Sequence, residues 1–262
     1  MKIGIIGAGL IGKTLAKKFN AAGHQVKLGD AKGAASIDTI ARSAGVSAVE
    51  MEEVTKDIEV LVVSIPLFAI PDLAKSLQGK VADDVIIVET TNYWPHRDNK
   101  IEAIDNGMVA SVWVQEQFGR PVVKTFSNIN AYSLTAEGKP KGASGRIALA
   151  VASDDQKAKE VVLGLGDDAG FDALDAGILE DSWRQQPCSP AYCTDLSLSE
   201  LAKARAMANR ETLKENQELA FGKMQHLGEE YFKILISGDY PDGFVDHAVD
   251  IAREINNLPP RK

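Results

Sequence analysis

Cysteine, histidine and aromatic side chains are scarce in this chain of 262 residues, which has two Cys, four His and 6% aromatics. Two cysteines cannot build a disulfide framework, and Cys188 and Cys193 stand at neither C-x-x-C nor zinc-ligand spacing. Free structural thiols in a reducing, cytoplasmic compartment are therefore expected. A basic excess is missing too. With 29 Lys and Arg against 37 Asp and Glu, the formal charge is -8, which argues against a nucleic acid or an anionic membrane surface as partner. No apolar run reaches the length of a membrane span, and the amino terminus lacks the basic, apolar and small-residue sections of a signal peptide. His, Asp and Glu nowhere cluster at metal-ligand spacing, and no G-x-S-x-G occurs, so metal and serine-nucleophile chemistry have no support.

What the chain does have is a βαβ rhythm. Short β-branched runs (IGIIG, QVKLGD, EVLVVSIP, VIIVETT) alternate with amphipathic stretches such as LIGKTLAKKFNAAG and IPDLAKSLQG. The later runs are apolar without alternation, as parallel strands covered on both faces are. A loop is expected after TNYWP. Then come RPVVKTFSNIN, RIALAVAS, a helix in DDQKAKEVVLGLGDDAG and a last strand near FDALDAG. From Asp195 onward the residues are good helix formers up to a PDG turn, and a second helical stretch follows through VDHAVDIAREI, which predicts a helical tail. The expected fold is α/β, a Rossmann-type doubly wound, mostly parallel sheet with a carboxyl-terminal helical segment. Residues 1–180 are expected to form the sheet domain, and 181–262 the helical segment that packs on it, borders a cleft or makes a homodimer contact.

GAGLIG, spanning Gly7, Ala8, Gly9, Leu10, Ile11 and Gly12, matches G-x-G-x-x-G between an amino-terminal strand and a helix, and Asp30 ends the second strand eighteen residues after Gly12. Gly7 makes the turn, Gly9 lets backbone amides approach a pyrophosphate, and Gly12 lets helix and strand pack closely. Asp30 suits the ribose hydroxyls of NAD and would repel the 2′-phosphate of NADP, whereas Lys32, two residues on, has the reach and charge for that phosphate. The residue pattern leaves both nucleotides open.

Five stretches, GAGLIG, SIPLFAIPDL, VETTNYWPHRD, RPVVKTFSNINAYSL and DAGILEDSWRQQP, together resemble the family of NADP oxidoreductases dependent on the deazaflavin coenzyme F420, over roughly residues 1–192. The reductase domain of the STEAP metalloreductases is similar. The resemblance implies a Rossmann domain for NADP(H) that presents the nicotinamide to a flat flavin- or deazaflavin-like acceptor. It also implies that Ile65 and Pro66, and Thr91 and Asn92, line the cofactor. Ser127 and Asn128 occupy the analogous strand end, where they would fix the carboxamide or the acceptor. The chain departs from the family at Asp30-Ala31-Lys32, at QPCSP, where Cys188 replaces a glycine, and in the helical extension after Asp195.

Hydride transfer to a flavin-type acceptor needs orientation more than a dedicated acid. His96, after TNYWP, and Tyr192 are the weak catalytic candidates; His24 reads as a surface turn residue, and His226 and His247 sit in helical stretches. Two rival readings are a β-hydroxyacid- or imine-type reductase of a small carbonyl or imine and a non-catalytic NAD(P) redox sensor. The first needs a Lys and Asn on one helical face, and Lys203 and Asn209 are six apart, which is the wrong spacing.

Overall fold

The protein is described by a computed structural model covering residues 1–237, 241, 243–244 and 246–261. The PDG turn of the tail falls partly outside these residues. Six strands form one parallel sheet: β1 (Lys2–Ile6), β2 (Gln25–Gly29), β3 (Ser47–Ala48), β4 (Val60–Val63), β5 (Ile86–Glu89) and β6 (Val122–Lys124). Their order is β3-β2-β1-β4-β5-β6, so the chain reverses direction across the sheet between β1 and β4. A second parallel pair, β7 (Ala148–Val151) and β8 (Asp172–Asp175), joins the edge through an antiparallel bridge of Lys124 to Ala152.

The unbroken apolar runs follow from burial on both faces. Ile3, Ile5, Val60 and Val62 pack under α1 (Leu10–Ala21) and α2 (Ala34–Ala44) with Leu15, Phe19 and Ile37. The alternate residues Ile6, Leu61, Val63 and Ile87 pack on the opposite face against Leu73, Leu77 and Val114. Each fully buried aliphatic side chain of this kind contributes roughly 1.5–3 kcal/mol of transfer free energy, so both faces stabilise the sheet.

Two expectations need correction. Residues 99–119 are not a plain loop: a short helix, Glu102–Asp105, leads to Ala110–Phe118, which buries Val114 beside the strands. Its apolar and polar residues alternate irregularly, so no clear helical stripe marks it in the sequence. The stretch before the PDG turn is not one helix either, and the second helical stretch follows the turn as expected. The tail divides into Leu198–Met207, Arg210–Gln225, Gly228–Ser237 and Asp246–Glu254. Ser197 and Glu200 form a capping box at the first start, and the Asn209 side chain accepts the Glu211 N–H (3.0 Å) at the second. A side chain that caps one helix ends the one before it.

The tail is latched back onto the sheet by arginines. Arg253 donates to the carbonyl of Thr194 (2.8 Å), and Arg261 pairs with Glu137 (2.7 Å) and Asp195 (3.2 Å). His24 also departs from expectation. It is not a surface turn residue but packs edge-on against Phe19 at 5.8 Å, with its ring nitrogens bonded to the amino terminus and to Asp168.

Candidate active site

Every strand of a parallel sheet ends on the same edge, and the residues singled out in the sequence collect there. At the β1 end the chain turns at Gly7 with φ +105, and a Cβ on it would lie 2.1 Å from the Ser64 carbonyl oxygen. No residue but glycine fits that position. Gly12 is as constrained, since a Cβ there would lie 1.9 Å from the Gly7 carbonyl oxygen, so α1 sits directly on the turn. Gly9 differs. Its φ of -70 is open to any residue, and a Cβ on it would meet nothing within 4 Å. The space in front of Gly9 is therefore empty of protein, at a helix start with no side-chain cap and no acidic residue in its first turn. Unfilled amides and the positive end of the helix dipole make that space fit an anion.

Asp30 is tied into this turn. One carboxylate oxygen accepts the Ala8 N–H (2.9 Å) and the other accepts the Lys32 N–H (3.0 Å), while Lys32 keeps its side chain exposed. The Ala8 amide is thus committed within the protein, and the amides of Leu10, Ile11 and Gly12 begin the helix. Ser64 and Ile65 lean against Gly7 from the β4 end, and Pro66 opens a short turn over Leu67–Ala69.

The ends of β5 and β6 hold a feature that the sequence reading passed over. Glu89 and Lys124 are register partners on neighbouring strands, and both are almost completely buried. Lys124 Nζ lies 3.1 Å from Glu89 Oε1 and 3.3 Å from Oε2, and it also donates to the Thr91 carbonyl. Burial pushes the Lys124 ammonium below its ordinary value, against the pull of Glu89. Glu89 Oε2 in turn accepts the Thr91 N–H (2.8 Å) and hydroxyl (2.7 Å), so Thr91 is held rather than free. A charged residue closing each of two apolar runs, IIVE and VVK, is the signal that would have revealed the pair, because a charge in a central strand requires a partner.

Asn92 donates to the Ser127 carbonyl (2.9 Å), which leaves Asn92 Oδ1 and Ser127 Oγ buried without a hydrogen-bond partner. Asn128 is pinned elsewhere: its Oδ1 accepts the Ala150 N–H (3.2 Å) and its Nδ2 donates to the Ala191 carbonyl (3.4 Å). Beside Asn92 opens a cavity of about 570 Å³ that runs from Thr91 and Lys124 to Trp183 and the tail helix Arg210–Gln225. That volume lies within the usual range for small-molecule sites. Ser182, also on its wall, carries a third buried polar atom without a partner, its hydroxyl. Native structures leave few such groups unpaired, so Asn92 Oδ1 and Ser182 Oγ on this wall are open to polar ligand atoms.

His96 stands outside this cavity, its ring 5.7 Å from Trp94 and 6.0 Å from Phe221. Tyr192 meets Trp94 edge-on at 6.2 Å, and burial raises its phenol well above the ordinary range, which makes it a poorer acid. Both rings join the TNYWP loop to the following segment. Lys203 and Asn209 fall on either side of the break between two tail helices.

Cys188 and Cys193 are free thiols, each on a residue with positive φ. Burial pushes the Cys188 thiol up to about 12 and raises Cys193 further. At pH 8 only about one Cys188 in 10⁴ is then the reactive thiolate. Native protein should resist iodoacetamide over a period in which the urea-unfolded chain is alkylated at both positions, as read by intact mass; rapid native labelling would refute the burial. Among the described residues no group of His, Cys, Asp and Glu is arranged to hold a metal, and no helix is long and apolar enough to cross a membrane.

Known proteins share these features. The family described as NADP oxidoreductase coenzyme F420-dependent matches residues 2–93. The Escherichia coli (strain K12) protein YjhV is 42% identical over 71 residues, 27% of this chain and 52% of its own, so the chain spans about half the length of that curated relative. Among solved structures, the hypothetical protein SMa0349 of Sinorhizobium meliloti superposes with a TM-score of 0.66 at 28% identity, over 75% of this chain and 95% of that one. A candidate F420-dependent NADP reductase from Arthrobacter sp. FB24 does so with a TM-score of 0.57 at 22% identity, over 70% and 87%, which speaks for the fold. The match to the NADP oxidoreductase, coenzyme F420-dependent, family thus covers residues 2–93, the first half of a Rossmann fold with its glycine turn and its first strand-end loops.

Proposed function

We propose that the protein is an NAD(P)-dependent oxidoreductase that moves hydride between a nicotinamide and a flat flavin- or deazaflavin-like acceptor seated in the 570 Å³ cavity. The observation that carries this reading is the pairing of an anion cradle in front of Gly9 with a cavity at the same sheet edge, walled by Trp183 and Tyr93. When bound, the reduced dinucleotide supplies the hydride, two electrons with one proton, and the acceptor takes it together with one proton from water.

The residues of the chain bind and orient. Leu10, Ile11 and Gly12 direct their amides at the pyrophosphate, and Gly7 and Gly12 let the strand, turn and helix come close enough to do so. Ile65 and Pro66 bound the cofactor from the β4 end. Asn92 and Ser127 offer their unpaired oxygens to the carboxamide amine or to acceptor N–H groups. Lys124 carries three N–H bonds and already faces Glu89 and the Thr91 carbonyl, so it acts as a strut for the Thr91 turn rather than as a proton donor. Residues 181–262 take the role of acceptor-cleft wall through Trp183 and the helix Arg210–Gln225.

Asp30 favours NADH, because its carboxylate would stand beside the adenosine ribose. Asp30→Ser should raise the NADPH:NADH affinity ratio by roughly tenfold, about 1.4 kcal/mol for one removed repulsion. Lys32→Ala should lower it. A ratio unmoved by Asp30→Ser, measured by nicotinamide fluorescence titration, would place the ribose elsewhere. The function itself is tested by absorbance at the nicotinamide band with NADH and NADPH against F420, FMN, FAD and small carbonyls. Turnover with a flavin-type acceptor supports the proposal; turnover with carbonyls alone refutes it.

A further inference from the structure

The protein is acidic overall, yet the mouth of its strand-edge cavity is basic. Lys100, Lys124, Arg210 and Lys214 line it, against a single carboxylate, Asp105. Lys124 is neutralised by Glu89, and Asp105 accepts the Tyr93 hydroxyl (2.9 Å). Lys100, Arg210 and Lys214 therefore outnumber the one carboxylate on this wall. Lys100 and Lys214 have no ion pair among the described residues, and Arg210 has only a long one to Glu180 at 3.4 Å. The Arg210 guanidinium lies 4.9 Å from the centre of the Trp183 ring, which places a cation beside a flat wall. Ser182 adds the buried, unpaired hydroxyl on the same wall.

An excess of cations around a concave site focuses the field on an anion and is costly to keep together without one. The other large concavity, at the opposite edge of the sheet, lacks this character. Its Arg120 is spent on the carbonyls of Val81, Ala82, Asp83 and Val85, and Asp83, Asp84 and Asp155 stand beside it.

We infer that the strand-edge cavity takes an electron acceptor carrying an anionic group, a carboxylate or a phosphate, which Arg210 and Lys214 on the tail helix hold together with Lys100 from the loop after TNYWP. Ser182 donates to a polar atom of the same molecule, and Trp183 and Tyr93 cover its flat part. This rests on the reading that the cavity is the acceptor site. The anion is a property of this cavity and is separate from the pyrophosphate cradle at Gly9, since none of the residues lining it belongs to the glycine turn.

The test uses full-length protein in three arms. Calorimetry with benzoate, its neutral isostere benzamide, and inorganic phosphate asks whether charge is recognised and which anion is preferred. Turnover of NADH with FMN and riboflavin, which share one ring system and differ by a phosphate, asks whether the acceptor is chosen by that charge. NADH affinity is measured in parallel. The expected result is binding of benzoate or phosphate with none of benzamide, a lower KM for FMN than for riboflavin, and loss of both preferences by about tenfold or more in Arg210→Gln/Lys214→Gln, as expected for charge-assisted contacts. NADH affinity should stay within about twofold, since the altered side chains are remote from the glycine turn. The preference of benzoate over phosphate, or the reverse, identifies the anion. Equal binding of benzoate and benzamide, no binding of either anion, or an anion preference that survives the double substitution would each overturn the inference while NADH still binds. Failure of NADH and NADPH to bind at all would instead overturn the proposed function, and the calorimetric arm would still decide the anion question.

Discussion

Gly9→Val should yield a folded protein that has lost dinucleotide binding by a factor of more than about 100, equivalent to about 2.7 kcal/mol. Gly9 has an ordinary φ, and its added Cβ meets nothing within 4 Å, so the substitution costs the fold no more than about 1 kcal/mol for a poorer residue before the helix. The valine methyls would instead fill the space that a pyrophosphate needs. Gly12→Ala is the counterpart. Its Cβ would lie 1.9 Å from the Gly7 carbonyl oxygen, and forcing the helix off the strand should cost about 1–3 kcal/mol or more of stability, with binding falling as a consequence. Titration with NADH and a thermal melt of the two variants separates the roles. Unchanged NADH affinity in Gly9→Val would remove the pyrophosphate from this turn.

The second large effect concerns the pair at the ends of β5 and β6. Lys124→Met leaves Glu89 charged, buried and without its partner, and should cost about 3–5 kcal/mol, because an unpaired interior charge is worse than no pair at all. In a chain of this size the melting temperature should fall by roughly 10 °C. Glu89→Gln combined with Lys124→Met should regain most of that loss, since the glutamine oxygen still accepts from Thr91 and no charge remains. A double variant as unstable as the single one would contradict this account. The same lysine leaves a mark on pH dependence. Its folded value lies below the ordinary 10.5, so between the two the unfolded chain holds more protons and stability rises with pH. Wild type should therefore gain on the double variant as pH is raised through that interval, and a gap that narrows instead would reverse the sign of the shift.

Much of the dinucleotide end could be read from residues alone, because it depends on local chemistry. Gly7 needs a positive φ, Gly12 needs contact with the strand, and both needs show as glycines at set spacing. The parallel direction of the strands was implicit in the alternation of runs and helices, since parallel neighbours require crossovers. The acceptor side was less legible. Arg210 and Lys214 lie more than 100 residues beyond Asn92, and nothing in a helix of charged residues says which cations face a cavity. The Glu89–Lys124 pair was visible in principle, as two charges ending two apolar strands, but only the register of β5 on β6 makes them partners. Asn128 shows the converse. Its position after a strand suggests a ligand contact, while its amide is consumed in tying β6 to β7 and to the segment at Ala191. Side-chain commitments of this long-range kind leave no local trace.

The arginine latches of the tail bear on how such a protein changes over generations. Arg253 and Arg261 fix the last helix to Thr194, Asp195 and Glu137, so the wall that carries Arg210 and Lys214 is clamped on from outside rather than woven into the sheet. The glycine turn and the first strand-end loops lie within residues 2–93, while Trp183, Arg210 and Lys214 come after residue 180. Inheritance can therefore rewrite the wall of Trp183, Arg210 and Lys214 while Thr91, Asn92 and Tyr93 of the same cavity stay with the glycine turn. A lineage that kept the first ninety-odd residues and traded its tail would retain its glycine turn and remake one side of the cavity beside it.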